Sequence, residues 1–163
     1  MSQGGHCIDG DCHKGYGTML TADGSEYCGQ FKNGRPHGEG VLCLADGSQY
    51  YCGQFVKGMP QGEGTISLHG GSYQGQIQNG LPHGNGIMRY SDGGFQTGTF
   101  QDGLLDGIGA AFFPDGTEFR GAFARGLPNG PGTLYRADGR QISGQWLNGE
   151  LIVTQDNKFS KID

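Results

Sequence analysis

An Asp-Gly pair returns every 23 residues along most of the chain. Its aspartates are Asp23, Asp46, Asp92, Asp115 and Asp138, and His69-Gly70 fills the one gap. A fixed period of this size is typical of arrays in which small supersecondary units stack in a line. Such arrays bury one continuous core and present a long surface. The period therefore predicts a repeat protein whose default role is binding.

The composition fits a thin, turn-rich fold. The 163 residues include 35 glycines and 6 prolines, a level that without a period would be typical of disorder. With the period, it indicates backbone turns that repeatedly need glycine. Apolar residues make up only 34% of the chain, which favours a single sheet with one dry face over a thick two-layer core.

Each unit divides into a strand, a tight turn, a returning strand and a longer turn. Apolar residues alternate along the strands, which is the pattern of a half-buried β-strand. An x-Asp-Gly turn suits a three-residue hairpin loop whose glycine is left-handed. We therefore predict positive φ at the loop glycines, and no helix. These are Gly24, Gly47, Gly70, Gly93, Gly116 and Gly139.

The returning strands carry an aromatic-x-Gly-x-aromatic pattern, with variations in the later units. The two rings share one face and the glycine between them leaves room for a neighbouring ring, so we expect them to pack as a row. The aromatic residues of this row are Tyr27, Phe31, Tyr51, Phe55, Tyr73, Phe100, Phe119, Phe123 and Trp146. Gln96 and Ile142 replace the first aromatic residue in two units.

The segment from Phe31 to Gly40, FKNGRPHGEG, completes a pattern that resembles the MORN repeat (membrane occupation and recognition nexus). The resemblance covers roughly residues 13–150. It implies an all-β fold, an elongated, twisted, single-layer antiparallel sheet of about six consecutive hairpins, with the aromatic row lining a groove along its length. Units that depart from the pattern at Gln96, Ile142 and Leu104-Leu105-Asp106 are predicted to be locally distorted or specialised.

The domain prediction is an N-terminal leader or cap over residues 1–12, a repeat array over 13–150, and a C-terminal strand and tail over 151–163. The two outer strands of such an array are open edges, and only these end segments are available to cap them. Leu151-Ile152-Val153 is predicted as the last strand.

Charge and hydropathy argue against several classes of function. The net charge is −5 and the basic residues are scattered singly, so we expect no nucleic-acid binding. No apolar run approaches the roughly 18 residues of a membrane span. The first residues lack the features of a signal peptide, so the expected location is cytoplasmic. The resemblance adds association with the cytoskeleton or a membrane as alternatives.

No pattern in the chain predicts catalysis or a cofactor. His13, His37 and His83 occupy a turn slot that elsewhere holds Gln, Asp or Asn, so we interpret them as structural. His6-Cys7 and Cys12-His13 form the one metal-like cluster, and an exposed leader is favoured over a zinc site. Five cysteines without a secretion signal predict reduced thiols. The expectation is a protein with no enzymatic activity, metal or small-molecule substrate.

Three aromatic residues lie at positions where the repeat pattern has no aromatic residue. Phe95, Phe112 and Tyr135 lie at strand positions that alternation turns away from the aromatic row, and Arg89 is predicted opposite Phe95. Exposed aromatic residues with a planar cation are typical of interfaces. These four are the predicted contacts to a protein partner or to another copy of the chain, unless a curled sheet or the termini cover them.

Three functions compete. The leading prediction is a non-enzymatic scaffold that binds a peptide or helix of another protein, or that self-associates. The family name suggests binding to anionic phospholipids such as phosphoinositides as a second, with Lys32, Arg35, Lys57 and Arg125 in or beside the longer turns as contacts. The third is a targeting module of a larger enzyme, as MORN arrays precede lipid-kinase and methyltransferase domains.

Overall fold

The computed structural model describes residues 5–152, and these form a single antiparallel sheet of fourteen strands. The order of the strands in the sheet is their order in the chain, so every strand pairs with its sequence neighbours. At about 4.8 Å between strands, the sheet extends for roughly 60 Å. The strands are β1 (His6–Gly10), β2 (Lys14–Leu20), β3 (Glu26–Lys32), β4 (Arg35–Cys43), β5 (Gln49–Val56), β6 (Met59–Leu68), β7 (Gly71–Gln78), β8 (Leu81–Tyr90), β9 (Phe95–Gln101), β10 (Leu104–Phe112), β11 (Glu118–Ala124), β12 (Leu127–Tyr135), β13 (Gln141–Leu147) and β14 (Glu150–Ile152).

The Asp-Gly turns adopt the predicted geometry. In the first one, the Thr21 N–H donates to the Ser25 carbonyl at 2.8 Å and the Gly24 N–H donates to the Thr21 carbonyl at 3.0 Å, which encloses a three-residue loop. All six loop glycines have φ between 81° and 93°, which confirms that prediction. His69-Gly70 is shorter than the others, because only two residues separate β6 from β7. We call this side of the sheet the Asp-Gly edge.

The second turn of each unit is shorter than predicted. It contains two residues, both with positive φ, which is a type I′ turn. This turn matches the right-handed twist of the flanking strands, so no longer connection is needed. The glycine of each turn also donates to the carbonyl of an earlier repeat, as Gly58 does to Pro36 at 2.8 Å. We call this side the Asn-Gly edge. The first turn residues are Asn33, Lys57, Asn79, Asp102, Arg125 and Asn148.

One face of the sheet carries a row of glycines in direct register from strand to strand, for example Gly40, Gly53 and Gly64. The aromatic residues lie over this row. The Tyr51 ring covers Gly64 so closely that a Cβ there would lie 2.5 Å from the Tyr51 Cε2 atom. All nine predicted rings are 0–8% exposed and form the core, with edge-to-face contacts such as Tyr27 to Phe55 at 4.8 Å. We call this the core face and the other side the back face.

The two units without the first aromatic residue fill the same space from a different strand. Where Gln96 replaces the ring, the Leu105 side chain lies over Gly98 and Gly109, and Leu105 is 1% exposed. Where Ile142 replaces it, Leu151 lies over Gly144. Both leucines occupy the slot that holds proline in the other units. Each loss of the aromatic residue is therefore accompanied by a leucine in place of proline, and the leucine fills the space that the ring would occupy.

The array continues past the six Asp-Gly hairpins by one strand at each end. At the N-terminal end, β1 pairs with β2, and Cys7 forms a disulfide with Cys12. The prediction of reduced thiols is wrong for these two, because the turn between the strands brings both side chains together. Cys28, Cys43 and Cys52 are free thiols. At the other end, Leu151 and Ile152 lie in β14, and Val153 with the rest of the tail lies outside the described residues. Residues 5–152 include no helix that could cross a lipid bilayer.

Candidate functional site

The back face differs between the two halves of the array. In the first three hairpins, β2 to β7, its middle row carries glutamines that bond to the next strand. The side-chain carbonyls of Gln30 and Gln76 accept the backbone N–H groups of Glu39 and Asn85 at 3.3 and 2.9 Å, and Gln54 bonds likewise to Glu63. The three glutamines therefore form a polar, hydrogen-bonded row along this half of the back face.

In the last three hairpins, β8 to β13, the predicted contact residues lie together on the back face. Strand register places Arg89 opposite Phe95, as predicted, and it also places Phe95 opposite Phe112. The two phenylalanine rings stack with centroids 4.1 Å apart and 14° between their planes. Both are half-buried, because each ring covers one face of the other. Arg89 is exposed beside them.

Tyr135 lies further along the same row, separated from Phe112 by Glu118. The Arg120 guanidinium lies 5.5 Å from the centre of the Tyr135 ring and forms an ion pair with Glu118. The hydrogen bond and charge of Glu118 raise the pKa of Arg120. These contacts fix the orientation of Tyr135, so the surface presents an ordered ring beside a planar cation.

Sequence reasoning missed several exposed aliphatic residues that extend this surface across the sheet. Ile108 is 70% exposed in the middle row, opposite Ala122. Leu104 and Leu127 are each 49% exposed on the Asn-Gly edge. Aligning the repeats position by position would have identified Ile108, because it occupies the Gly-x-Gly position that holds Glu39 and Glu63 in the first half. We define the back-face patch as Arg89, Phe95, Leu104, Ile108, Phe112, Leu127 and Tyr135.

The predicted lipid contacts lie along the Asn-Gly edge but in two groups. Lys32 and Arg35 flank the first turn, and Lys57 begins the next one. Arg125 lies three turns further on. The structure adds Lys14, which sequence reasoning missed: it pairs with Lys32, which in turn pairs with Arg35. Like charges in direct register repel each other, and neither ion pair found within residues 5–152 relieves them.

The remaining candidates for chemistry lie apart from one another. Residues 5–152 contain no group of three or more His, Cys, Asp and Glu side chains arranged to hold a metal ion. The disulfide uses both cysteines of the predicted metal-like cluster. His37 and His83 are half-buried and His13 is exposed, each in its own repeat.

Comparison with protein families gives one result. The family model of the MORN repeat matches five consecutive segments, residues 27–49, 51–72, 73–95, 97–118 and 119–139. Together they cover more than half of the chain, and each segment includes one Asp-Gly or His-Gly hairpin loop. The comparison with curated proteins gives no match.

Proposed function

Because the chain belongs to the MORN repeat family, whose repeats generally bind rather than catalyse, we propose that it is a non-enzymatic scaffold that binds a partner protein through the back-face patch. The partner is a peptide or helix of another protein, or a second copy of this chain. The main observation behind this proposal is the stacked Phe95–Phe112 pair, which lies on the face that the sheet does not use for its own core.

Two features support recognition at this surface. Aromatic residues and arginine dominate binding energy at protein interfaces, and the patch combines both types. Its rings are held in place by stacking and by Arg120, so little side-chain entropy is lost when a partner binds. The glutamine row of the first half offers no such contacts. Exposed apolar residues also occur in the first half, at Tyr16, Val56 and Met59, but the stacked rings with an adjacent arginine lie at one end of the array.

A variant pair tests this proposal. Phe95→Ala combined with Phe112→Ala removes the stacked pair, and Tyr16→Ala removes an exposed back-face ring at the other end of the array. We expect the double variant to lose self-association in sedimentation experiments, or to lose proteins that wild type retains in quantitative pull-downs. Tyr16→Ala should behave as wild type. Equal losses in both variants, or none in either, contradict the proposal, provided that circular dichroism shows intact sheet.

A second candidate function, binding to an anionic membrane surface, is favoured by the three cations in register. Lys14, Lys32 and Arg35 concentrate positive charge at one end of the Asn-Gly edge despite the net charge of −5. Each cation near an anionic leaflet contributes about 1 kcal/mol. Lys57 lies on the neighbouring turn and adds to the same group.

Liposome flotation distinguishes this candidate from the first. Lys32→Glu with Arg35→Glu should abolish binding to vesicles that contain phosphoinositide, and binding should weaken as salt rises. Arg125→Glu is the matched control, because Arg125 lies far from this group. Binding that survives the double reversal, or that is insensitive to salt, contradicts it. The role of a targeting module for a larger enzyme stays a prediction.

A further inference from the structure

A recess opens on the core face at the Asp-Gly edge, between β8 and β10. It has a volume of about 270 Å³ and is lined by Tyr90, Asp92, Gln96, Ala111 and Phe113 among others. Tyr90 and Phe113 are 41% and 48% exposed and occupy equivalent positions one repeat apart. Strand spacing places their backbones roughly 10 Å apart. A planar group between two rings needs about 3.5–4.0 Å on each side.

The recess exists because the repeat pattern is interrupted at three adjacent positions. Gln96 replaces an aromatic residue, and Ala111 stands where the other units have Met, Leu or Ile. Gly94 follows the turn where other Asp-Gly units have Ser, Thr or Arg. Leu105 fills only the space over the glycine row. The floor is therefore formed by small residues, and Gln96 lies at its side.

The polar groups of the recess are acceptors of the right kind for a cation. The Tyr90 hydroxyl donates to the Gln96 side-chain oxygen at 3.0 Å, which holds the Tyr90 ring toward the recess. Burial raises the pKa of Tyr90, and the negative charge of the nearby Asp92 adds to this. Asp92 Oδ1 accepts the Gly94 N–H at 2.8 Å, and Gly94 has no side chain to bond to the carboxylate.

In three of the other Asp-Gly turns, a side chain bonds to the carboxylate. Asp46 bonds to the Ser48 hydroxyl at 2.6 Å, and Asp138 bonds to the Arg140 guanidinium at 2.7 Å. Asp23 bonds to the Thr21 hydroxyl at 2.5 Å. Asp92 keeps its acceptor capacity, at the rim of a recess with two aromatic walls, and the described residues that line this recess include no Lys or Arg.

We propose that this recess binds an arginine side chain of a partner polypeptide, with the guanidinium between Tyr90 and Phe113 and its N–H groups directed to Asp92. Guanidinium is planar, stacks on aromatic faces and pairs with carboxylates, so it meets all three features. The volume lies below the roughly 300–1,000 Å³ of small-molecule pockets, so a single side chain fits better than a metabolite. The site lies on the core face and, apart from Phe112, which also lines the recess, it shares no residue with the back-face patch.

Nuclear magnetic resonance of the full chain labelled with ¹⁵N tests the proposal. The probes are Nα-acetyl-arginine amide and its citrulline counterpart, which has the same shape without the charge. The arginine probe should shift the amide resonances of Gly94, Gln96 and Phe113. The citrulline probe should bind about fivefold more weakly, the effect of losing one charge-assisted contact. Equal binding of both probes, shifts only elsewhere, or no shift at all would overturn it.

Variants make the test specific to the recess. Ala111→Leu introduces a residue that the pattern accepts at this position and should abolish the shifts by filling the floor. Asp92→Asn keeps the turn acceptor and should weaken arginine binding about fivefold. Asp115→Asn, one repeat further along, is the matched control and should have no effect. Unchanged binding in Ala111→Leu, or equal effects of Asp92→Asn and Asp115→Asn, would also overturn the proposal.

Discussion

The first three hairpins and the last three share their turns and their glycine row but differ on the back face. In the first half, Gln30, Gln54 and Gln76 bond to the neighbouring strand. In the second half, Thr99 and Ala122 replace two of these glutamines, Gln145 retains the third, and Ile108 lies opposite Ala122, so the surface becomes more apolar. The sheet forms equally well in both. Because the back face is not needed for the core, its side chains are free to differ and to carry recognition.

The halves differ on the core face as well. Buried tyrosines occupy the first aromatic position in all three early hairpins, and their hydroxyls donate to a backbone carbonyl three residues on, at 2.9 Å each. The later hairpins use Phe119 and two leucines supplied by the next strand. The space over the glycine row must be filled, and the structure accepts more than one residue as the source.

The largest expected effect is the loss of stability when the space over the glycine row is emptied. It tests whether a tyrosine and a leucine from the next strand stabilise the fold equally. Tyr51→Ala should lower the free energy of unfolding by about 3–5 kcal/mol and Leu105→Ala by about 2–5 kcal/mol, since each empties the same space over the glycines. Tyr16→Ala, at an exposed ring, should cost about 0.5 kcal/mol or less. Denaturant unfolding followed by circular dichroism measures all three. A mild effect of Leu105→Ala would show that the halves are built differently.

Exchanging residues between the two halves should show that the effects of positions 96 and 105 on stability are coupled. Gln96→Tyr alone should destabilise the protein by about 1–3 kcal/mol, because Leu105 already occupies the space that the ring needs. Adding Leu105→Pro restores the early pattern and should recover at least about 1 kcal/mol of the loss. A double-mutant cycle measures this. The reverse exchange, Tyr73→Gln with Pro82→Leu, should give coupling of the same sign, and additive effects would contradict the pairing.

Alkaline unfolding should begin in the first half. Burial raises the pKa of Tyr51 and of Tyr73 to about 12, and it raises that of Tyr27 as well. The folded state thus holds these protons more tightly than the unfolded state, whose value is about 10. Their stabilisation is complete below pH 10 and is lost as the pH rises toward 12.

Two optical signals separate the halves in this experiment. Tyrosinate absorbance reports the ionisation of the buried tyrosines, and the fluorescence of Trp146, the single tryptophan, reports the second half. Tyrosine ionisation should precede the change at Trp146. Tyr51→Phe with Tyr73→Phe should shift the loss of structure to higher pH. If the absorbance and the fluorescence change at the same pH, and the substitutions do not shift that pH, the tyrosines do not set the alkaline limit of stability.

The smallest expected effect concerns the Asn-Gly edge, where the halves are alike. Arg125 has a φ of 50° and Lys57 a φ of 53°, in the turn position that asparagine adopts at lower cost. Arg125→Asn and Lys57→Asn should each raise the free energy of unfolding by about 0.5 kcal/mol. Thermal unfolding measures the change. Destabilisation by either variant would show that the cation contributes to this edge of the sheet.

Much of the fold was predictable because it depends on short-range patterns. The period located the six loops and the positive φ of their glycines, and alternation located the buried rings and turned Phe95 and Phe112 to the back face. The candidate site was only partly predictable. Ile108, Leu104 and Leu127 join the patch because register aligns separate strands, and the recess combines Tyr90 with Phe113 from neighbouring repeats. Contacts of this kind depend on which residues face each other across strands, which alternation alone does not specify.

The sequence by itself determined an all-β array, since Asp-Gly and Asn-Gly turns fix each reversal and the glycines leave room for one row of rings. Tertiary structure decided how the exceptions are resolved: Leu105 and Leu151 enter the space that Gln96 and Ile142 leave open, and Cys7 meets Cys12 across a turn. It also gave Asp92 a hydrogen bond from the Gly94 backbone and, within residues 5–152, no side-chain partner. The physical reason is that backbone conformation is local, whereas the filling of space and the pairing of charges depend on neighbours that only the assembled sheet brings together.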